Sequence, residues 1–431
     1  MSPVLPLELC DFIIDIIAAD RPRIARSLGD SCADSDDLCC QATLHACSLT
    51  CRTWVPRSRR HLYSHVFIPQ DKISVLHEAL AMCPSNGVAV QHLHVFRGGN
   101  ECDKHELTFL LRLLPARLPN LTHVTLEKID FSTFDSEESA ALKQLHLFEN
   151  VKSLRFYDTT CTSVGQFARL VQTFAPFDHL EVSGLGLETG RLEPLARIPI
   201  ASLFADLHST PYVFWICSHM DILSLKLILH NYTAAQSITC IRLTRNLRSL
   251  VLYLKDEQSG SWLFSPCKCL RHFFLWEGID VLMLGDSSAC DFPHLQRLEL
   301  HIHDARNVYQ PPISLPSQLN SAVTFGTRIL RVFQMTALEH LLLHVSCYTW
   351  TTLCSSAISN AATRDVWDFL DKTLCLPQYE TVRVCASASI WNEKRERWWA
   401  VPGEEVRHLL PDFASRNNAD FTQVYPRLIY A

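Results

Sequence analysis

The sequence predicts an α/β chain: a small helical module at its N-terminal end, then an irregular solenoid of parallel strands. Three observations carry this reading. Leu9, Phe12, Ile13, Ile16 and Ile17 recur at helical spacing near the start. A unit of the form apolar-x-x-apolar-x-apolar recurs from Val90 to Val384. The composition, 48% hydrophobic and 19% charged over 431 residues, is globular and leaves ample chain for a large buried core.

The first element is a helix over Leu5–Ile17. Its five apolar residues share one face, and Glu8, Asp11 and Asp15 take the other. Pro6 stands at or just before the helix start, where a missing N–H costs nothing, and the early acids suit the helix dipole. Asp20–Asp37 is a polar insertion, and its acidic part from Asp30 reads as a loop. A second helix covers Leu44–Leu49. After a break a third begins near Trp54, with Thr53 as N-cap and Pro56 in the first turn.

These residues resemble the F-box. Leu5, Pro6, Leu7, Glu8 and Leu9 match its Leu-Pro-x-Glu-Leu opening. Cys51, Arg52, Thr53 and Trp54 match its Cys-(Arg/Lys)-x-Trp segment, and Leu62, Tyr63 and Val66 its closing apolar positions. The polar insertion departs from the simplest pattern, but many fungal members carry one. The resemblance implies docking on the adaptor subunit of an SCF-type ubiquitin ligase, and through it on a cullin. By motif position, the contacts it implies are Leu5, Pro6, Leu9, Ile13, Ile16 and Trp54. An ordinary helical bundle with inward-packed leucines is the plainer alternative.

Asp71–Cys83 reads as a helix with Ile73, Leu76 and Leu80 on one face, ended by Pro84. The repeated units then follow: Val90-Leu93-Val95, Leu121-Val124-Leu126, Val151-Leu154-Phe156, Phe177-Leu180-Val182 and Ile200-Leu203-Ala205. Ile222-Leu225-Leu227, Leu247-Leu250-Leu252, Leu270-Phe273-Leu275 and Leu295-Leu298-Leu300 continue the series. Two looser units, Leu338-Leu341-Leu343 and Tyr379-Val382-Val384, close it. The spacing of the first nine resembles leucine-rich repeats, which run at about 20–29 residues. Each unit would be a short strand with alternate side chains buried, followed by a return segment. The asparagine that regular repeats carry after the strand is mostly missing, which makes the solenoid irregular.

Several returns are legible as helices: Lys104–Leu114, closed by Pro115; Ala140–Phe148, after a capping-box pattern at Asp135 and Glu138; and Phe167–Phe174, after another at Ser163 and Gln166. Arg191–Ile198 is short and interrupted by Pro194. From Val308 the pattern loosens around Pro311, Pro312 and Pro316. Thr327–Thr336 and Ala362–Leu374 read as helices, Trp391–Ala400 as a hairpin turn, and Glu404–Ser415 as a terminal helix. The organisation is therefore a helical module over residues 1–70, repeats over 71–307, and irregular final repeats with a cap over 308–431.

The chemistry sought in the sequence is mostly missing from it. There is no phosphate-binding loop, no G-x-S-x-G and no H-E-x-x-H. Gly184, Gly186 and Gly190 have the wrong spacing for a dinucleotide loop. Eighteen cysteines are scattered without a C-x-x-C pair. With the acids of the first seventeen residues arguing against a signal peptide, and no run of eighteen apolar residues, we expect reduced thiols in the cytosol or nucleus and no membrane association. The sequons at Asn120 and Asn231 then read as chance matches. A net charge of −6 argues against a general nucleic-acid binder. His92 with His94, and His301 with His303, share strand faces, but a zinc site needs further ligands from neighbouring strands. No metal and no cofactor are expected.

In each unit the residues between the buried positions face outward. That assigns Arg155, Tyr157, Phe204, Asp206, Val251, Tyr253, Phe274, Trp276, Arg297, Glu299, His340 and His344 to the outer sheet face. Exposed aromatic rings mark binding surfaces, so Arg155, Tyr157, Phe204, Tyr253, Phe274 and Trp276 are the candidate contacts for a substrate protein. Burial of the aromatics under the C-terminal tail is the competing account. Trp391, Trp398 and Trp399, interleaved with Lys394, Arg395 and Arg397, suit hairpin packing or base stacking. The expected function is a non-catalytic substrate-recognition adaptor of a ubiquitin ligase. The alternatives are a repeat scaffold working outside any ligase and an enzyme concealed in the irregular C-terminal part.

Overall fold

The computed structural model describes residues 7–19, 33–97, 115–133, 150–174, 176–189, 198–206, 220–230, 246–255, 290–291, 294–303, 330, 333–347, 361–392, 397–400, 407–408, 410–416 and 419–421. The chain divides into two compact units, Met1–Ile198 with Arg427–Ala431, and Pro199–Pro426.

The first unit opens with three helices: α1 (Leu7–Ala19), α2 (Ala33–Thr50) and α3 (Val55–Ser64). Helix α2 begins inside the acidic segment read as a loop, at Ala33. Acidic residues are compatible with a first helical turn because of the helix dipole. Thr53 does not cap α3. The N-cap is Trp54, without a side-chain bond, and the Thr53 hydroxyl lies 3.0 Å from the Cys51 thiol instead. Pro56 stands in the first turn as expected. Ile14, Leu44 and Cys47 form the buried centre of the bundle, with Ile17, Ala18, Trp54 and Leu62 packed around them.

Strand β1 (His65–Pro69) follows directly, at a place where the sequence reading has no strand and matches Val66 to the close of the helical module. The chain returns through α4 (Ile73–Met82), on which Ile73 and Leu80 are buried. Pro84 then opens a further short helix, α5 (Pro84–Ala89), as its fixed φ allows. Strands β2 (His92–Phe96), β3 (His123–Glu127), β4 (Ser153–Tyr157) and β6 (His179–Ser183) stack beside β1 in the order β1-β2-β3-β4-β6, all parallel. A second, smaller ladder pairs β5 (Thr160–Ser163) with β7 (Gly186–Thr189). Helix α6 (Val164–Thr173) is capped by Ser163, whose hydroxyl accepts from the Gln166 N–H at 3.2 Å, as the capping-box pattern predicts. The helices read at Lys104–Leu114 and Ala140–Phe148 lie outside the described residues.

The repeat follows one rule in space. Val90-Leu93-Val95, Leu121-Val124-Leu126, Val151-Leu154-Phe156 and Phe177-Leu180-Val182 are all buried. Each such side chain contributes about 1.5–3 kcal/mol of transfer free energy. After three of the strands the chain turns through the left-handed region at Lys128 (φ 56°), Asp158 (φ 48°) and Gly184 (φ 66°). The Lys128 N–H donates to Tyr157 O and the Asp158 N–H to Ser183 O, so each turn is bonded to the end of the next strand. Asparagine does recur, but ahead of the strand. Asn120 donates to Val88 O and Asn150 to Pro119 O, each at 2.7 Å.

The second unit repeats the ladder. Strands β8 (Ile198–Asp206), β9 (Met220–His230), β10 (Ser249–Lys255), β12 (Arg297–His303), β14 (His340–Cys347), β15 (Arg383–Asn392) and β16 (Arg397–Ala400) lie in that order. Strands β9 to β15 are mutually parallel, and β15–β16 is an antiparallel hairpin with Trp391 opposite Trp398, as read from the sequence. Short β11 (Cys290–Asp291) pairs with β13 (Phe333–Gln334), and β17 (Ala419–Asp420) with β15. The apolar triplets from Ile200, Ile222, Leu247, Leu295, Leu338 and Tyr379 are buried here too.

The expectations for this unit meet different outcomes. The unit at Leu270-Phe273-Leu275 lies outside the described residues, and β10 pairs directly with β12 over seven residues. A helix over Thr327–Thr336 is excluded at its end, where Phe333–Gln334 is strand. Helix α7 (Ala361–Leu374) matches its prediction within a residue. The terminal helix is broken at Leu410 and resumes as α8 (Pro411–Ala414), because a residue preceding proline is disfavoured in helical backbone. Asp371 of α7 caps α8, accepting from Asp412 N at 2.9 Å and Phe413 N at 2.8 Å. The Tyr379 hydroxyl donates to Leu330 O at 2.6 Å. Among the described residues no helix is long and apolar enough to cross a membrane.

Candidate functional site

Helix α1 presents two apolar sides. Cys10 and Ile14 face the bundle, 5% and 0% exposed. Leu9, Phe12, Ile13 and Ile16 stand at 49%, 61%, 40% and 45% exposure. Large apolar side chains prefer burial, so four of them in one exposed helical row make a surface that suits a partner. An ion pair from Arg57 and a hydrogen bond with His61, both on α3, hold the helix rotation. Asp15 accepts from Arg57 Nε at 2.8 Å and Nη2 at 2.5 Å, and its Oδ1 lies 2.8 Å from His61 Nε2. The Arg57 hydrogen bond holds the Asp15 carboxyl down at about 2, against the opposing effect of burial and with help from His61. Of the candidate adaptor contacts, Leu9, Ile13 and Ile16 therefore stand together in the exposed row. Trp54 packs against the bundle core. Leu5 and Pro6 lie outside the described residues.

The outer face of the first-unit ladder carries the second candidate. Register aligns three outward rows: His65, His92, His123, Ser153 and His179; Phe67, His94, Thr125, Arg155 and Glu181; and Pro69, Phe96, Glu127, Tyr157 and Ser183. Arg155 and Tyr157, both predicted outward, are half-buried on this face. Arg155 pairs with Glu181 at 3.2 Å, and His94 Nε2 lies 2.8 Å from Glu127 Oε2. The His94 hydrogen bond lowers the Glu127 pKa against burial, which pulls the other way. Burial, then the Glu181 charge, raises the Tyr157 phenol. His94 thus turns to a carboxylate of the next strand, not to His92. Among the described residues no group of three or more His, Cys, Asp or Glu could hold a metal ion.

The second unit disperses the remaining candidates. Phe204 is half-buried on β8, and Tyr253 lies in β10, in register with His301 and, beyond it, His344. Phe274 and Trp276 lie outside the described residues. Val251 and His344, read as outward, are buried at 3% and 1%. The His344 ring is held 2.8 Å from Ser387 Oγ, and burial, helped by His301, lowers its pKa to about 3. Burial alone would raise Glu299, but the His301 hydrogen bond and the Arg297 charge outweigh it and hold the carboxyl below its ordinary value.

Sequence reading missed the histidine row of the first unit as a row. Its signal was available: in the units that open at Val90, Leu121 and Phe177 the residue just before the middle buried position is histidine, and His65 stands in register with them.

No protein-family model and no curated protein matches the chain. Among solved structures it is similar to the leucine-rich repeat-containing protein LegL7 from Legionella pneumophila, at 12% identity and a TM-score of 0.36, over 83% of this chain and 100% of that one.

Proposed function

We propose that this chain is a non-catalytic substrate-recognition adaptor of an SCF-type ubiquitin ligase. Its three-helix module docks on the ligase adaptor, which carries it to a cullin, and its parallel-strand repeats hold a substrate protein in the cytosol or nucleus. The observation that carries the reading is the exposed row Leu9, Phe12, Ile13 and Ile16 on a helix whose opposite side is seated in the core. The Leu-Pro-x-Glu-Leu and Cys-Arg-x-Trp residues match the F-box pattern in sequence, and the exposed row is the apolar surface such a module would offer its adaptor. Repeated parallel strands with an outward face of mixed charge and aromatic character suit recognition of a protein.

Co-precipitation of the full chain with the ligase adaptor tests it. The double substitution Leu9→Glu with Ile13→Glu places charge in the exposed row, where the fold does not depend on it. Buried anchors of this kind contribute about 2 kcal/mol or more to binding, so adaptor capture should fall at least about thirtyfold while the thermal melt is unchanged. An intact, folded chain that does not bind the adaptor would sink the ligase reading and leave a repeat scaffold acting outside a ligase.

A further inference from the structure

Charge is segregated in the helical module. From Leu38 to Gln70 the sequence holds four arginines, Arg52, Arg57, Arg59 and Arg60, and no aspartate or glutamate, in a chain whose formal charge is −6. The fold gathers these arginines on α3 and in the turn that leads into it. Arg57 faces α1 and is engaged with Asp15. Arg59 and Arg60 are exposed on α3, and Arg52 is exposed just ahead of it. Residues three and four apart share one side of a helix. Pro56, Arg59, Arg60 and Tyr63 therefore make one outer side of α3, and all four are exposed.

The neighbouring elements leave this side positive. Among the described residues no carboxylate pairs with Arg52, Arg59 or Arg60. Helix α3 packs on α1, α2 and α5. Helix α5 carries no charged residue, and the stretch of α2 from Leu38 to Thr50 carries none besides His45. The acids that reach α3 from α1 are Asp15, held between Arg57 and His61, and Asp11, whose charge acts on the same Arg57. Both stand on the inner flank of α3, away from Arg59 and Tyr63 on the helical wheel. A surface that serves solubility alone mixes both signs. This one carries arginine only. Its guanidinium groups are weakly hydrated and match a carboxylate with two parallel N–H donors.

We propose that the outer side of α3, with Arg52 ahead of it, is a docking surface for a carboxylate-rich segment of a partner protein. The inference goes beyond the ligase reading and does not depend on it. The exposed row of α1 is apolar and this side is cationic, so the two ask for different chemistry in what they bind. The ten residues of α3 span about 15 Å. That is the length of about four or five extended residues, enough for a short acidic segment to set a carboxylate against each arginine. Tyr63, 38% exposed, offers a ring for the apolar stems of such a segment. A nucleic acid fits less well. Its continuous phosphate charge calls for a longer basic face than one short helix, and it is repelled by a chain of formal charge −6.

The test uses the full chain and a fluorescently labelled peptide of about ten glutamates, followed by anisotropy at about pH 7.5, where histidines are mostly neutral. The peptide should bind at low salt, and its affinity should fall at least about tenfold between about 50 mM and about 300 mM salt. The triple change Arg52→Gln, Arg59→Gln and Arg60→Gln should weaken low-salt binding about tenfold. Changing the same three to lysine keeps the charge and should stay within about threefold of wild type. The control Lys152→Gln, Arg248→Gln and Arg364→Gln removes as many exposed cations elsewhere and should bind as wild type does. Circular dichroism melts of all three variants should match wild type, since every substituted side chain is exposed. Absence of salt-dependent binding in the wild type overturns the proposal, as does an equal loss in the control, which would reflect overall charge. An oligothymidylate of about ten nucleotides that binds more tightly than the peptide, and is lost with the same arginines, overturns it in favour of a nucleic acid. The ligase adaptor does not enter the measurement, so this proposal and the ligase reading fail separately.

Discussion

The Asp15 carboxylate receives the Arg57 guanidinium in a two-point contact, Nε to Oδ1 at 2.8 Å and Nη2 to Oδ2 at 2.5 Å, and this contact ties α1 to α3. It also fixes which side of α1 faces out. The side chains are 38% and 36% exposed, so solvent screening limits the pair to about 0.5–1 kcal/mol. Asp15 titrates at about 2 in the fold against an ordinary 3.8, so the stabilisation is present above the ordinary value and is lost as pH falls toward 2. Asp15→Asn should therefore speed amide exchange in Leu7–Ala19 at neutral pH. The difference from wild type should shrink as the pH falls below about 4. A difference that persists unchanged in acid would show that the pair is not its source.

Neighbouring isoleucines on α1 should behave oppositely. Ile14 is fully buried among Leu44 and Cys47, and Ile14→Ala should cost about 2–4 kcal/mol through lost burial and the cavity left behind. Ile13 is 40% exposed, and Ile13→Ala should change stability by no more than about 0.5 kcal/mol. Urea denaturation followed by the helical signal separates them. Equal losses at the two positions would mean that the exposed row is packed in solution.

The strands of the repeated units were legible because each carries its own signature. Three apolar residues at A, B and C of A-x-x-B-x-C must be buried whatever surrounds them, and in every described unit they are. The Ser163 cap was legible for the same reason, being set by residues three apart. The facing of α1 was not. Leu9, Ile13 and Ile16 lie on one side and Cys10 and Ile14 on the next, and only the seating of α2 and α3 decides between them. Strand β1 was hidden because Tyr63, at the opening position of its unit, belongs to α3 and is exposed. The histidine row depends on register between strands far apart in sequence, so it emerges only when the units are aligned on their buried positions.

Two glycines are required for different reasons. A Cβ at Gly87 would stand 2.1 Å from the Arg117 carbonyl oxygen, a backbone atom that cannot turn aside. Gly184 adopts φ +66°, and its Cβ would stand 2.1 Å from Asp158 Oδ1, an atom on a side chain that can rotate. Gly87→Ala should therefore cost about 2 kcal/mol or more, and Gly184→Ala about 1 kcal/mol, chiefly from the left-handed backbone. Asp158→Gly at the equivalent turn should be close to neutral, since it relieves a positive φ while loosening the unfolded chain. Thermal melts of the three variants should rank in that order.

Gln166 spans two repeats, and its amide is used at both ends. Its Oε1 accepts from Thr162 N at 2.8 Å and Thr162 Oγ1 at 3.0 Å, while its Nε2 donates to Phe131 O at 2.8 Å. The side chain is 6% exposed, so water does not replace these bonds. Gln166→Ala should cost about 2–3 kcal/mol by leaving buried groups unpaired. Gln166→Glu is the sharper test, because a capping box accepts either residue and the sequence pattern does not separate them. Here a carboxylate oxygen would face the Phe131 carbonyl oxygen, acceptor against acceptor. That places the charged form at a disadvantage in the fold and raises its folded pKa above the unfolded one. Stability of the variant should therefore fall as pH rises through about 4 to 6, and recover on acidification as the protonated acid donates to Phe131 O. Melts of this variant and wild type across that range should diverge with rising pH. Parallel curves would mean that the side chain has turned out to solvent and that the contact does not hold the repeats together.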